Sequence, residues 1–324
     1  MNKDTQPLMV TIQCFTYNQE QYIRQCLDGF VMQKTNFRFE AIVHDDASTD
    51  GTADIIREYE AKYPDIIKPI YETENQYSKH DGSLVRIMNE HMHGKYIAVC
   101  EGDDYWIDPL KLQKQVDFLA NNPDYGMVCS ASKIYKQGIG MKKGSYGHEY
   151  RGIEDLLKGN YIFNASVLKR KSLEELYNLE IGFHPDWKMG DWPRILHCAI
   201  VSKIGYINEA MSVYRVLPNS ASHFDDFDKF KAFNENSVEV SKFFIDKYNL
   251  DSDKLYPILD NWLKRRLLLR ACSLGYVDMV NKYKSDVIGL SSKEKINVFV
   301  ASHYLTNAIY RWYNNTRKAI QHIF

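Results

Sequence analysis

The stretch EGDDYW, residues 101–106, places three carboxylates directly after the apolar run YIAVC. Such a run is typical of a buried β-strand, so Glu101, Asp103 and Asp104 are expected in a turn at its end. Like charges in one turn repel one another and are costly to bury, so a positive partner is expected beside them. Divalent cations such as Mg²⁺ bind through one or two carboxylates together with substrate phosphates. The pattern therefore indicates a metal–diphosphate site, and a solvated acidic turn is the alternative.

A second acidic stretch, DDASTDGT at residues 45–52, follows the apolar run FEAIVH. The hydroxyl and carboxyl side chains of its second half can cap the start of a helix by accepting hydrogen bonds from the first amide groups. Capping leaves the adjacent pair Asp45 and Asp46 unexplained, because one aspartate would suffice. This turn is therefore a second candidate for ligand contact.

Two other polar patterns nearby are interpreted as structural. Asp108 precedes Pro109, which is the usual arrangement of a capping residue and the first position of a helix. His91 and His93 are two residues apart on a predicted helix, so they do not share a face and do not form a metal pair. Their place near a helix C-terminus suits the helix dipole.

The elements that position these motifs alternate between strand and helix as far as residue 130. Strands are predicted over residues 9–15, 39–44, 66–71, 95–100 and 127–130. Helices with an apolar period of 3.6 residues lie between them, the first capped by Asn18 and another ended by Gly94. This alternation predicts an α/β fold with a mostly parallel sheet flanked by helices. Ligands bind such sheets at the carboxyl ends of the strands.

The second half of the chain is less regular. A loop rich in Gly, Lys and Tyr is followed by a strand, a helix and another strand, predicted over residues 136–160, 161–170, 172–179 and 204–216. From about residue 225 the pattern is helical. We therefore expect a domain over residues 1–224 and a helical C-terminal region over residues 225–324.

Composition excludes several classes of protein. The chain has 324 residues and a formal net charge of −1, so no overall field favours nucleic acid. Its six cysteines form no CxxC pair and mostly lie in apolar runs, which is typical of reduced, buried thiols. The first ten residues hold no long apolar run, and no stretch approaches eighteen apolar residues. We expect a cytoplasmic protein without a signal peptide or membrane span.

Three stretches together resemble the hallmark motifs of glycosyltransferase family 2. They are FTYNQEQYIRQCL, EAIVHDDASTDGT and GKYIAVCEGDDYW, at residues 15–27, 40–52 and 94–106. Their order and spacing resemble the nucleotide-binding half of the GT-A (Rossmann-like) fold over about residues 8–130. The resemblance continues more weakly through an acceptor half, residues 131–224, and does not cover the helical tail.

The resemblance implies roles for the residues of these motifs. Thr16 and Tyr17 fall where family members line the nucleotide pocket, and Asp45 falls where an aspartate contacts the base. The acidic turn corresponds to the DxD region of the family, so that Asp103 approaches the ribose and Asp104 binds the metal, Mg²⁺ or Mn²⁺. The family commonly has Asp where this chain has Glu101, whose longer side chain can still reach a ribose hydroxyl or a bound water.

Two later motifs also match the family. Asp191, in GDWP, falls where the catalytic base is found, although its place before Trp-Pro also suits a helix cap. Tyr214 and Arg215 match a late YR element whose loop closes over the donor, so Arg215 is expected at the diphosphate, with His223 near it. Lys79 and Arg86 are further candidates for phosphate contact.

The family resemblance implies transfer of a sugar from a nucleotide diphosphate sugar, such as a UDP-sugar, to an acceptor hydroxyl of a glycan or lipid-linked glycan. One base without an evident nucleophile favours a single displacement with inversion. Two alternatives stay open: a non-catalytic nucleotide- or glycan-binding module of the same fold, and a sugar-nucleotide pyrophosphorylase. The latter class carries a Gly-rich, basic loop after the first strand, which FTYNQEQY lacks.

The C-terminal stretch 302–324 combines an apolar stripe at helical spacing with Arg and Lys and no acidic residue. A basic amphipathic helix with Trp and Tyr can lie in a membrane surface. The same stripe can instead pack on the catalytic domain or on a second subunit. Peripheral contact with the cytoplasmic face of a membrane and homo-oligomerisation are therefore both open.

Overall fold

In the computed structural model, which describes residues 6–217 and 226–303, nine strands of the first range pair into one sheet. They are β1 (Leu8–Thr16), β2 (Arg38–Asp45), β3 (Ile67–Tyr71), β4 (Tyr96–Val99), β5 (Tyr105–Trp106), β6 (Tyr125–Lys136), β7 (Gly140–Met141), β8 (Leu168–Arg170) and β9 (Lys203–Val216). Their order is β3-β2-β1-β4-β8-β6-β9-β5, with β7 beside β6. The strands predicted before residue 130 are all present.

The first four strands of this order run parallel. β3 lies at the edge of the sheet, where the missing amide hydrogen of Pro69 is tolerated. Thr16 lies opposite Asp45 in the register of β1 and β2, so the ends of these two strands meet. Beyond β4 the pairing is mixed, because β8 is antiparallel to both of its neighbours. The sheet is therefore α/β in character, with four adjacent parallel strands in the predicted nucleotide-binding half and a second parallel pair, β6 with β9, beyond β8.

Helices connect the strands in the same range of residues. They are α1 (Ile23–Val31), α2 (Thr52–Lys62), α3 (Ser83–His91), α4 (Lys111–Asn121), α5 (Ile153–Leu157), α6 (Lys171–Glu180) and α7 (Asp191–Val201). α1 shows how they pack: Ile23, Cys26, Leu27 and Phe30 recur on one face and are fully buried in the main core. All six cysteines are buried free thiols, as their apolar surroundings predict.

Two residues assigned to helix ends have other roles. α1 begins at Ile23 and not after Asn18. Asn18 has a left-handed backbone (φ 50°), and its side-chain oxygen accepts from the amide of Thr49 at 2.8 Å, which fastens the first motif to the second. Gly94 does not end α3; a Cβ there would lie 2.4 Å from the amide nitrogen of Thr11. Glycine is required at this position because β1 passes so close.

The strand predicted over residues 161–170 is wrong for most of its length. The chain forms a 3₁₀ turn at Asn164–Ser166, and only Leu168–Arg170 pairs in the sheet. The carbonyl of Ala165 accepts from the indole of Trp106 at 2.9 Å instead of from a neighbouring strand. The preceding segment, predicted as a loop, contains β7 and α5.

The chain divides into two compact units, Met1–Pro218 and Asn219–Phe324, and the described part of the second is helical. It contains α8 (Phe227–Lys247), α9 (Ser252–Leu274), α10 (Val277–Tyr283) and α11 (Ser292–Ala301). Asp226 and Asp251 cap α8 and α9, and Ser291 and Glu294 form a capping box on α11. Residues 304–324, which include most of the amphipathic stretch, lie outside the described residues. No helix within the described ranges is both long and apolar enough to cross a membrane.

Candidate functional site

The three sequence motifs meet at the carboxyl ends of β1, β2 and β4. The amide of Asp46 donates to the carbonyl of Thr16 at 3.0 Å, and the amide of Gly102 donates to the carbonyl of Phe15 at 3.0 Å. Gly102 has no room for a side chain, because a Cβ would lie 2.2 Å from Oε1 of Gln19 and 2.9 Å from Oγ1 of Thr16. The acidic turn therefore lies directly against the end of β1.

Polar atoms without partners mark this edge of the sheet. Among the described contacts, Thr16 Oγ1, Gln19 Oε1 and Asp45 Oδ1 are buried and have no hydrogen-bond partner. Burial raises the pKa of the Asp45 carboxyl, although hydrogen bonds from Ser48 oppose that shift. Tyr17 is 48% exposed beside them. Buried polar groups are nearly always paired in native proteins, so this row of atoms is suited to a polar ligand.

The second aspartate of DDASTDGT has a different role. Asp46 is buried, and its two oxygens accept from the amides of Gln76 and Tyr77 at 2.6 and 3.0 Å. This carboxylate therefore anchors the segment after β3. The adjacent pair, which capping alone does not explain, consists of one residue with an unpaired carboxyl oxygen, Asp45, and one structural residue, Asp46.

The carboxylates of the acidic turn are held close together in a partly dry environment. Burial first, and then the charges of Asp103 and Asp191, raise the pKa of Glu101 to about 8. Burial likewise raises the pKa of Asp103, and burial together with Asp103 raises that of Asp104 well above its usual range. Each shift records a cost of ionising this turn that a bound cation would offset.

The positive partner expected beside this turn is Arg215. Its amide donates to Asp104 Oδ1 at 2.7 Å, and its Nε donates to the carbonyl of Asp103 at 2.7 Å. Its guanidinium carbon lies 4.9 to 5.3 Å from the ring centres of Tyr22, Tyr105 and Tyr135. With only 7% of Arg215 exposed, it braces the turn from within the protein. Asp104, 4% exposed, faces the same interior side.

Asp191 is the first residue of α7 and does not cap it. The cap position belongs to Gly190, and no side chain makes a capping hydrogen bond there. The amide of Asn160 donates to Asp191 Oδ2 at 3.1 Å. Since Asp191 also contributes to the raised pKa of Glu101, the two carboxylates lie near each other.

A cavity of about 990 Å³ opens beside the acidic turn. Glu101, Asn164 and Asp191 all line it, and Asn164 donates to Glu101 Oε1 at 3.3 Å. Aromatic side chains also line the cavity, among them those of Tyr77, Phe183 and Trp187. The turn and the start of α7, 85 or more residues apart in sequence, thus share one cavity.

The remaining candidates lie in different places. Arg86 lines the cavity, whereas Lys79 pairs with Glu74 at 3.3 Å. The ring of Tyr214 stacks on Phe163 at 4.9 Å, and His223 lies outside the described residues. Sequence reasoning missed Asn160, Asn164 and Gln19, although two asparagines within the otherwise apolar NYIFNAS could have drawn attention to that segment.

The donor set fits a divalent metal that also takes ligands from a substrate. Three carboxylates lie within four residues, and their raised pKa values indicate that a bound cation would stabilise their ionised forms. The described residues contain no group of three or more His, Cys, Asp or Glu that could hold a metal by itself. Mg²⁺ and Mn²⁺ sites completed by substrate phosphates require fewer protein ligands.

Comparison with known proteins agrees with this geometry. The profile of the family described as "Glycosyl transferase family 2" matches residues 12–177, half of the chain. The chain belongs to glycosyl transferase family 2. An uncharacterized protein of Mycobacterium tuberculosis is 37% identical over 212 residues, which are 64% of this chain and 58% of that protein. The chain described here therefore spans less than two thirds of that relative's length. TuaG of Bacillus subtilis, named for teichuronic acid biosynthesis, is 28% identical over 66% of this chain and 81% of its own.

Solved structures share the fold. Staphylococcus aureus TarS, residues 1–349 with UDP-GlcNAc, has a TM-score of 0.61 at 16% identity, covering 94% of this chain and 92% of its own. The mannosyltransferase PcManGT of Pyrobaculum calidifontis, with GDP-Man and Mn²⁺, has a TM-score of 0.54 at 16% identity, covering 96% and 88%. The predicted GT-A fold and family are confirmed.

Proposed function

We propose that this chain is an inverting, metal-dependent glycosyltransferase that moves a sugar from a nucleoside diphosphate to an acceptor hydroxyl of a growing glycan. The observation that carries the proposal is the presence of Glu101 and Asp191 in one cavity, beside a row of unpaired polar atoms at the sheet edge. The row of unpaired polar atoms suits a nucleoside, and the acidic turn suits a metal–diphosphate. Asp191 is suited to an acceptor hydroxyl.

The donor side uses the residues of the first three motifs. Thr16, Tyr17 and Asp45 hold the nucleoside, and Glu101 reaches the ribose or a water. The burial of Asp104 and its bond to the Arg215 amide favour Asp103, the more accessible carboxylate, as the metal ligand. Asp104, to which the family resemblance assigned the metal, then acts with Arg215 to hold the turn in place.

The metal, Mg²⁺ or Mn²⁺, supplies positive charge that stabilises the diphosphate leaving group. Because nucleotide-sugar complexes are found among the structural neighbours, we propose a nucleotide-sugar donor. We propose a UDP-sugar, the class of nucleotide in the TarS complexes with UDP-GlcNAc and UDP, and the GDP-Man complex of PcManGT makes a GDP-sugar the alternative.

On the acceptor side, Asp191 removes the proton of the acceptor hydroxyl as that oxygen attacks the anomeric carbon. The bond from this carbon to the diphosphate oxygen breaks, and its electron pair leaves with the diphosphate. A single attack from the opposite face inverts the anomeric configuration. The carboxylate of Asp191 is available for this role because it is not used to cap α7.

The reaction is tested with a panel of UDP- and GDP-sugars in Mn²⁺ or Mg²⁺, measuring release of free nucleotide. One donor should be consumed well above the rate with EDTA, and NMR of the product should show the inverted anomer. Tight nucleotide binding without turnover of any donor would instead indicate a non-catalytic binding module.

The role of Asp191 is tested by Asp191→Asn, which keeps the shape of the side chain and removes its basicity. Turnover should fall by about 10²–10⁴-fold, the usual contribution of a general base, with little change in thermal stability. Asp228→Asn is the matched control, because Asp228 also lies in the first turn of a helix. Wild-type turnover in Asp191→Asn would return this residue to a structural role.

We further propose that the enzyme acts at the cytoplasmic face of a membrane or as a homo-oligomer, through its C-terminal helices. The support is the basic, apolar sequence of residues 302–324. Co-sedimentation with anionic liposomes, compared between the full chain and one ending at Ser302, tests membrane contact. Light scattering on the same pair tests oligomerisation.

A further inference from the structure

A buried charge cluster lies behind the start of α7. Glu174 of α6 is 5% exposed and accepts from Lys169 Nζ at 2.5 Å and from Arg194 Nε at 2.8 Å. Although burial acts to raise it, these two cations hold the pKa of Glu174 at about 2. A buried carboxylate with two hydrogen-bonded cations is fixed in place, because breaking either contact leaves an unpaired charge.

Arg194 connects this buried cluster to the residue that precedes the proposed base. While its Nε bonds Glu174, its Nη1 donates to the carbonyl of Gly190 at 2.6 Å, the residue immediately before Asp191. Its guanidinium carbon also lies 4.5 Å from the ring centre of Tyr177, a side chain that is 3% exposed. The planar guanidinium is therefore held on three sides, which a lysine could not reproduce.

The charge of Arg194 also reaches Asp191 directly. Burial acts to lower the pKa of Arg194, but Glu174, Tyr177 and Asp191 raise it. Asp191 therefore lies between a cation on its own helix and Glu101 across the cavity.

We propose that Arg194, held by Glu174, is a positioning residue that fixes the Gly190–Asp191 peptide and so aims the Asp191 carboxylate into the cavity. This inference rests on the proposed role of Asp191 as base. Reactive groups displaced by about 1 Å can lose on the order of 10²-fold in rate, so a clamp one residue from the base is expected to affect turnover.

Arg194→Met is the informative variant. It removes the clamp but leaves Lys169 and Glu174 as a balanced pair, so the fold should survive, whereas loss of Glu174 would leave two buried cations. Arg170→Met is a matched control, because Arg170 also bonds backbone carbonyls, those of Tyr125 and Leu119, in the same unit. Arg194→Lys serves as a second variant that keeps the charge and loses the fork.

In Arg194→Met, kcat for the donor found in the panel should fall about 10- to 100-fold, with UDP affinity in Mn²⁺ unchanged. Arg194→Lys should recover only part of this loss, and Arg170→Met should keep kcat. In an Asp191→Asn background, Arg194→Met should have no further effect, because the group that it positions is already gone. Equal loss in both backgrounds, or full kcat in Arg194→Met, would overturn the proposal.

A readout that needs no turnover separates this inference from the proposed function. Hydrogen exchange of the peptide spanning residues 187–195 should speed up in Arg194→Met and not in Arg170→Met. If exchange is unchanged, the clamp does not exist, whatever Asp191 does. If exchange rises but Asp191→Asn keeps wild-type turnover, the clamp stands as a structural feature, and both its catalytic purpose and the base assignment fail.

Discussion

Two acidic turns follow the strands on either side of β1, and they differ in where their carboxylates find partners. In the turn after β2, Asp46 accepts two backbone amides and Asp50 accepts from Thr52, whose hydrogen bonds lower the pKa of Asp50 despite burial. In the turn after β4, the pKa values of Glu101 and Asp103 are raised. Apart from Asp45, whose pKa burial also raises, two stretches of similar composition thus have opposite electrostatics.

The difference arises from the supply of backbone donors. The turn after β2 lies beside the segment after β3 and at the start of α2, both of which present amide groups. In the turn after β4, the Arg215 amide donates to Asp104, and Glu101 lines the cavity. Acidic residues that the fold satisfies by itself stabilise it, whereas those left with a penalty are suited to binding a cation.

The largest effect expected within this comparison is on metal-dependent binding of UDP, and it distinguishes Asp103 from Asp104 in the turn after β4. Asp103→Asn should weaken metal-dependent binding of UDP by about 100-fold or more, because it removes the accessible ligand. Asp104→Asn loses the same charge but keeps an oxygen to accept from the Arg215 amide, so its effect should be within tenfold. Calorimetric titration of UDP with and without Mn²⁺ measures both. The reverse ranking would return the metal to Asp104, as the family resemblance suggested.

A smaller effect is expected in the first turn, and on stability rather than on binding. Asp46→Asn replaces one of two acceptors with an amide donor that faces the Tyr77 amide, which should cost about 1–3 kcal/mol of unfolding free energy. Asp65→Asn, at an exposed site, should change it by less than about 0.5 kcal/mol. Urea unfolding compares them. If Asp46→Asn leaves the free energy of unfolding unchanged, contacts other than those of Asp46 hold the turn after β2.

The outline of this comparison could be predicted from sequence, because both turns follow apolar runs whose period identifies strands. The parallel order of β1, β2 and β4 then brings the turns to one edge. What could not be predicted was which of three neighbouring carboxylates faces inward. That depends on the Arg215 amide, which lies 111 residues away from Asp104 in the chain.

The same limit applies to the acceptor side. Asp191 was identified through its family motif, but Asn160, which donates to it, ends the segment predicted as a loop, and Asn164, which donates to Glu101, lies in the segment predicted as a strand. The indole of Trp106, which is distant in sequence, donates to the carbonyl of Ala165 within the 3₁₀ turn there. The surroundings of Arg215, which the family resemblance assigns to the diphosphate, could not be predicted either, because its three aromatic neighbours are far apart in sequence.

The smallest expected effect tests the electrostatic side of the comparison through pH. Between its ordinary pKa and about 8, Glu101 holds a proton in the folded protein that the unfolded chain has released. Folding stability from this group is therefore present at low pH and lost as the pH rises towards 8. Glu101→Gln keeps an oxygen for the Asn164 amide and removes this dependence. In EDTA, the melting temperature of the variant relative to wild type should rise between pH 5 and pH 8.5.

A shift of about 2–4 °C is expected for each kcal/mol involved. Glu60→Gln serves as the control, because Glu60 lies in α2, accepts from Tyr71, and has no described contact with the turn after β4. Adding Mn²⁺ with UDP should restore wild type at pH 8.5, since a bound cation favours the ionised turn. A constant difference in melting temperature between Glu101→Gln and wild type across this pH range would contradict the prediction. It would mean that ionising Glu101 costs the folded protein nothing, and the contrast between the two turns would be lost.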